Sequence, residues 1–104
     1  MKFQYHCYVS KSGSKFIHVK LNENQNFTSV LRQALKSINP VDEILTPFEE
    51  RFNDEWEFGI QSTIGYFKVK IESPYNDVWI NGTNDCITAI DLLLQDDERF
   101  ERVW

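Results

Sequence analysis

Two runs near the start of the chain alternate apolar and polar residues with a period of two, and they constrain the fold more than any other feature. In Lys2 to Val9, Phe3, Tyr5, Cys7 and Val9 fall on one side and Lys2, Gln4, His6 and Tyr8 on the other. Lys15 to Leu21 repeats the pattern with Ile17, Val19 and Leu21 apolar. Successive side chains of a strand point to opposite faces, so each run reads as a half-buried strand. Ser10 to Ser14, which contains Ser-Gly, reads as the turn between them. The pattern predicts a hairpin with Val9 opposite Ile17 and Cys7 opposite Val19. On its other face His18 then stands opposite Tyr8, and His6 opposite Lys20. A slip of one residue would bury His18 and Lys20, so the alternation selects this register.

Asn22 to Asn26 is polar and punctuates the chain. Phe27, Val30, Leu31, Ala34, Leu35 and Ile38 then recur at helical spacing, with Asn26 or Thr28 available as a cap, Lys36 in the last turn and Asn39-Pro40 as the stop. In the following segment Leu45, Phe48 and Phe52 have a loose helical spacing that Pro47 interrupts, which reads as a loop with a helical turn or two. Trp56, Phe58 and Ile60 alternate with polar neighbours as a third strand, and Ser62-Thr63 turns the chain. Tyr66 to Glu72 follows with Phe67, Val69 and Ile71 inward and Tyr66, Lys68 and Lys70 outward. Glu57 and these lysines are placed to pair across that hairpin. After a turn at Ser73 to Asp77 come a short strand, Val78 to Ile80, and a second turn signal, Asn81-Gly82. Asn84 or Asp85 caps a second helix whose polar stripe is Thr88, Asp91 and Gln95, and Phe100, Val103 and Trp104 fold back on the body. The order ββα, acidic insert, βββα is that of an α+β fold: about five mostly antiparallel strands with two helices packed on one face. A length of 104 residues makes a single domain, residues 1–104, and 41% hydrophobic residues fill its core.

Charge narrows the function classes. The net charge is −5, and it is unevenly spread: +5 over residues 1–39, −6 over 40–57 and −4 over 58–104. An acidic chain does not suit direct binding to a nucleic-acid backbone, which wants clustered Lys and Arg. No apolar run approaches the roughly 20 residues of a membrane span, and the start lacks the apolar core of a signal peptide. Cys7 and Cys86 have no metal-ligand or redox spacing and read as free, buried thiols of a cytoplasmic protein. The asparagines at 26 and 81 lie in glycosylation sequons that carry no weight without a secretory signal. Four glycines leave no phosphate-cradling loop, and no hydrolase, zinc-protease or calcium-loop motif is present. Adjacent carboxylates such as Asp96-Asp97-Glu98 read as solvated surface. No metal or cofactor is expected.

The segment from Pro40 to Glu57 carries Asp42, Glu43, Glu49, Glu50, Asp54, Glu55 and Glu57 against one base, Arg51, and interleaves them with Ile44, Leu45, Phe48, Phe52 and Trp56. Carboxylates steer a basic partner and aromatic anchors hold it. Asp42, Glu43, Glu49, Glu50, Phe52, Asp54, Glu55 and Trp56 are therefore the candidate partner-binding residues. The plainer alternative is a loop whose aromatics serve the core while its acids face water.

In size and acidic composition the chain resembles the small immunity proteins of bacterial toxin–immunity systems of the contact-dependent inhibition type. That resemblance implies a non-enzymatic cytoplasmic protein whose partner is a basic protein such as a toxin nuclease domain. It carries no motif, so no residue role follows from it. A second reading is a small RNA- or nucleotide-processing enzyme using His6, His18 and Lys20 on the outer hairpin face, with one imidazole as base and the other as acid on a phosphodiester. A third is an oligomeric or accessory subunit with no site of its own.

Overall fold

The computed structural model describes residues 2–21, 27–38, 49–51, 55–72 and 77–104, and for residues 49–51, 55 and 56 the strand backbone alone. The elements run β1 (Phe3–Val9), β2 (Lys15–Lys20), α1 (Phe27–Ala34), β3 (Glu49–Arg51), β4 (Glu55–Gln61), β5 (Tyr66–Glu72), β6 (Asp77–Gly82), α2 (Asn84–Gln95) and β7 (Phe100–Arg102). The strands form one sheet in the order β3-β4-β5-β6-β2-β1-β7, in which only β1 and β7 pair in parallel. The α+β class and mainly antiparallel sheet are as expected, but the described residues contain seven strands instead of about five. The two additional strands are short edges. One lies at Glu49–Arg51, where the sequence suggested loop and helical turn, and the other follows α2.

The β1–β2 hairpin has the predicted faces but a different register. Cys7 pairs with Ile17 and Tyr5 with Val19, a displacement of two residues from the expected pairing. The cause is a tighter turn. Ser10 N donates to Ser14 O at 2.8 Å and Gly13 N to Ser10 O at 3.0 Å, closing the loop at five residues. Gly13 sits at φ 87°, a conformation that favours glycine. Two is the period of a strand, so the displacement leaves Tyr5, Ile17 and Val19 buried but changes every partner on the outer face. His6 now stands opposite His18, and Lys20 opposite Asp77 of β6.

Both helices cover the same face. Cys86, Ile87, Ile90 and Leu94 of α2 join Ile17, Val19, Phe58, Ile60, Phe67, Val69, Val78 and Ile80 in one buried cluster with Phe27 and Leu31 of α1. Phe27 meets Phe3 edge-on at 5.2 Å between ring centroids, which seats α1 beside the β1–β7 end. Its α-helix stops at Ala34, and a turn carries Leu35 and Ile38 inward, so Thr28 lies inside the helix and Lys36 beyond it. Asn26 and Asn39-Pro40 lie outside the described residues. Ile38 O accepts from Thr63 N at 2.8 Å, tying the end of this segment to the β4–β5 turn.

The start of α2 also differs from expectation. Thr83 is the N-cap and accepts from Cys86 N at 3.3 Å. Asn84 instead reaches the β1–β2 turn, donating to Gly13 O at 2.8 Å and accepting from Lys15 N at 2.9 Å. The expected turn at Asn81-Gly82 is the last pair of β6. Asp91, part of the expected polar stripe, is buried. Phe100 folds back as expected and is buried, whereas Trp104 is 87% exposed, with the Arg102 guanidinium 3.8 Å above its ring. Among the described residues no helix is long and apolar enough to cross a membrane, which says nothing of strands.

Candidate functional site

With both helices on one face, the other face of the sheet lies without a covering element among the described residues. The register aligns its positions in rows across the strands. One row runs Arg51, Glu55, Glu72, Asp77 and Lys20, a series of three acids with a base at each end. The next runs Glu49, Glu57, Lys70, Trp79, His18 and His6. A third runs Gly59, Lys68, Asn81, Phe16 and Tyr8.

Aromatic rings fill the middle of this face. His6 stacks on Tyr8 at 5.5 Å between centroids, Tyr8 on Phe16 at 5.3 Å, Phe16 meets Trp79 at 6.0 Å, and Trp79 meets His18 at 4.3 Å. Offset and tilted ring pairs at such separations are each worth about 0.5–1.5 kcal/mol beyond the area they bury. Beside them lies an open groove of about 320 Å³, lined by Phe16, Lys70, Glu72, Trp79 and Asn81. Tyr66 extends the aromatic surface by lying over Gly59, where a Cβ would collide with its ring.

Three lysines of this face are already paired within the chain. Lys20 Nζ lies 3.4 Å from Asp77, Lys68 Nζ 3.8 Å from Glu57 and Lys70 Nζ 3.7 Å from Glu72. The predicted contact of Glu57 with the outward lysines is thus present. Asp77 also holds His18, with Oδ1 2.8 Å from Nε2. An ionised carboxylate only accepts, so Nε2 carries the proton and the ring's tautomer is set. Burial works to raise the Asp77 carboxyl, but hydrogen bonds from His18 and Lys20 outweigh it and hold the group below the usual carboxylate range. This arrangement can stack planar or cationic groups and present carboxylates beside them.

Of the residues proposed from sequence, Glu49 and Glu50 lie on β3 and Glu55 and Trp56 on β4. Asp42, Glu43, Phe52 and Asp54 lie outside the described residues. The register brings Glu49 opposite Glu57 and Glu50 opposite Trp56. Trp56 has the strand parity of Phe58 and Ile60, the helix-covered side, while Glu49 and Glu55 have the parity of the open face. His6 and His18 come together more closely than expected, and Lys20 is drawn to Asp77 instead of His6.

Phe16, Trp79, Glu72 and Asp77 were not anticipated as site residues. A signal for the first two was present. Both are aromatic at positions where the alternation calls for a polar residue, between Lys15 and Ile17 and between Val78 and Ile80. Among the described residues no group of His, Cys, Asp and Glu is arranged to hold a metal ion. Comparison of the chain with models of protein families, with curated proteins and with solved structures finds no match.

Proposed function

We propose that the protein is a non-enzymatic binding protein that neutralises a basic protein partner, and that it serves as a cytoplasmic immunity protein covering a toxin nuclease. The observation that carries this reading is the register at the β3–β6 end of the sheet. It sets Glu49 opposite Glu57, Glu55 opposite Glu72 and Glu72 opposite Asp77. Like charges directly opposite on one face are unfavourable to folding. A cationic partner relieves that repulsion, so stability given up in the free protein returns as affinity. The carboxylates accelerate encounter, and the aromatic cluster beside them supplies the desolvated anchor. Phe16, Tyr8 and Trp79 take that anchoring role on the open face.

The test is capture from host lysate at low and high salt, followed by an activity assay on whatever is retained. A basic nuclease that is released by salt and inhibited in proportion to added protein is the expected result. The quadruple variant E49A/E50A/E55A/E57A should then associate more slowly and with a flatter salt dependence. A specific partner bound with unchanged salt dependence by that variant would exclude the acidic hairpin as the contact.

One observation favours the nucleotide-processing reading: His6 directly opposite His18, with Asp77 orienting the latter. Acid–base catalysis on a phosphodiester uses such a pair. Against it, Lys20, Lys68 and Lys70 of this face each lie within 4 Å of a carboxylate, which a phosphate would have to displace. RNA cleavage abolished by both H6A and H18A would establish it.

A further inference from the structure

We propose that the groove beside Trp79 receives an arginine side chain of the basic partner, its guanidinium stacked on the indole and paired with Glu72. This rests on the reading of the protein as a captor of basic proteins, and it names the chemistry by which one anchor is held. The groove, about 320 Å³, is at the small end of ligand pockets, a size for one side chain. Its walls are the rings of Phe16 and Trp79, and Asn81 adds a side-chain amide. Glu72 lies at the centre of the acidic row, with Glu55 and Asp77 as its register partners. Glu72 and Asp77 are direct register neighbours, so two carboxylates stand side by side at the margin of the groove.

A planar cation meets every part of this site. Arginine stacks on aromatic faces and offers a fork of donors to a carboxylate, whereas lysine offers a compact, strongly hydrated charge. The chain makes the same contact at its end, with Arg102 over Trp104 at 3.8 Å. Glu72 is held at present by Lys70 at 3.7 Å, with both side chains about one-third exposed. An exposed pair of that length is worth little, so the incoming guanidinium displaces Lys70 readily. A nucleotide would use the same rings but would need Lys70 for its phosphate. The two occupants therefore predict opposite effects of removing Lys70.

The experiment titrates the intact protein with hexa-arginine, hexa-lysine, AMP and a short oligouridylate. The readout is the indole N–H resonance of Trp79, assigned with W79F. Hexa-arginine should shift that resonance and bind more tightly than hexa-lysine. E72Q should weaken hexa-arginine by about two- to five-fold, K70A should strengthen it, and E98Q, outside the groove, should leave it nearly unchanged. Equal losses in E72Q and E98Q, or no movement of the Trp79 resonance, would reduce the binding to general charge attraction and overturn the proposal. A shift with AMP or oligouridylate that K70A abolishes would overturn it in favour of a nucleotide site. Failure here alongside a salt-sensitive, hairpin-dependent nuclease partner would reject the groove while the binding reading stands.

Discussion

The Tyr5 hydroxyl donates to the Asp91 carboxylate at 2.8 Å, joining the centre of β1 to the middle of α2 inside the core. Arg102 of β7 donates to the other oxygen of the same carboxylate. One acid thus ties together the first strand, the last strand and the second helix. Burial, together with the hydrogen bond to Asp91, pushes the Tyr5 hydroxyl well above its ordinary range.

Removing the acid should cost more than removing the hydroxyl. Tyr5→Phe leaves Asp91 paired with Arg102 and should lower stability by about 1 kcal/mol. Asp91→Ala strands both partners. The pair is mostly but not fully buried, so the cost should be about 2–3 kcal/mol, just below the range for a fully buried pair. Urea unfolding of the two variants checks the order. Equal losses would mean that Arg102 contributes nothing through Asp91.

Acid should weaken the fold through Asp77 and Asp97. Hydrogen bonds from Arg99 hold the Asp97 carboxyl low against the opposing effect of burial, and Asp77 is held low by His18 and Lys20. A carboxyl whose folded value lies below its unfolded value binds fewer protons when folded. Its contribution is therefore complete above the unfolded value, about pH 4, and is lost as pH falls through the folded one. Wild type should be more stable than Asp77→Asn at pH 6, with the gap closing towards pH 2.5. A gap of constant size across that range would contradict the assignment.

Gly82 and Gly59 should respond differently to alanine. A Cβ at Gly82 would lie 2.9 Å from Phe67 Cβ and 3.0 Å from Tyr66 O, against the β5 backbone itself. Gly82→Ala should cost about 1–3 kcal/mol, as overpacking does. The Cβ at Gly59 meets only the far end of the Tyr66 side chain, which can swing away. Gly59→Ala should cost less and should change Tyr66 fluorescence or its ring resonances. Thermal unfolding of the pair decides the ranking.

The two cysteines should be poor nucleophiles in the folded protein. Burial pushes both thiols up, and a nearby Asp91 adds to the effect at Cys7. Reaction with a disulfide reagent at neutral pH should follow unfolding, with Cys86, which is fully buried, the slower. Fast modification of Cys86 in native buffer would show that the α2 end of the core opens locally.

Much of the site was legible as faces and little of it as neighbours. The alternation at Lys2–Val9, Lys15–Leu21 and Tyr66–Glu72 put His6, His18, Lys68 and Lys70 on the outer side, where they lie. It said nothing of Trp79 standing beside His18, because that pairing joins residues about sixty positions apart. The partners of Asp91 were hidden for the same reason: Tyr5 and Arg102 come from the two ends of the chain.

What the sequence determined by itself is local and periodic: the five longer strands, the two helices, and which side of each is apolar. A period of two or of 3.6 is written into a few consecutive residues and survives even a two-residue error in register. The tertiary structure alone decided that β6 enters between β5 and β2, that β7 returns parallel to β1, and that a tighter turn sets His6 opposite His18. Backbone ladders form between any two strands of suitable shape, so the alternation cannot choose among them. That choice belongs to the packing of α2 across β2, β5, β6 and β7, and to the Asn84 and Asp91 contacts that hold it there.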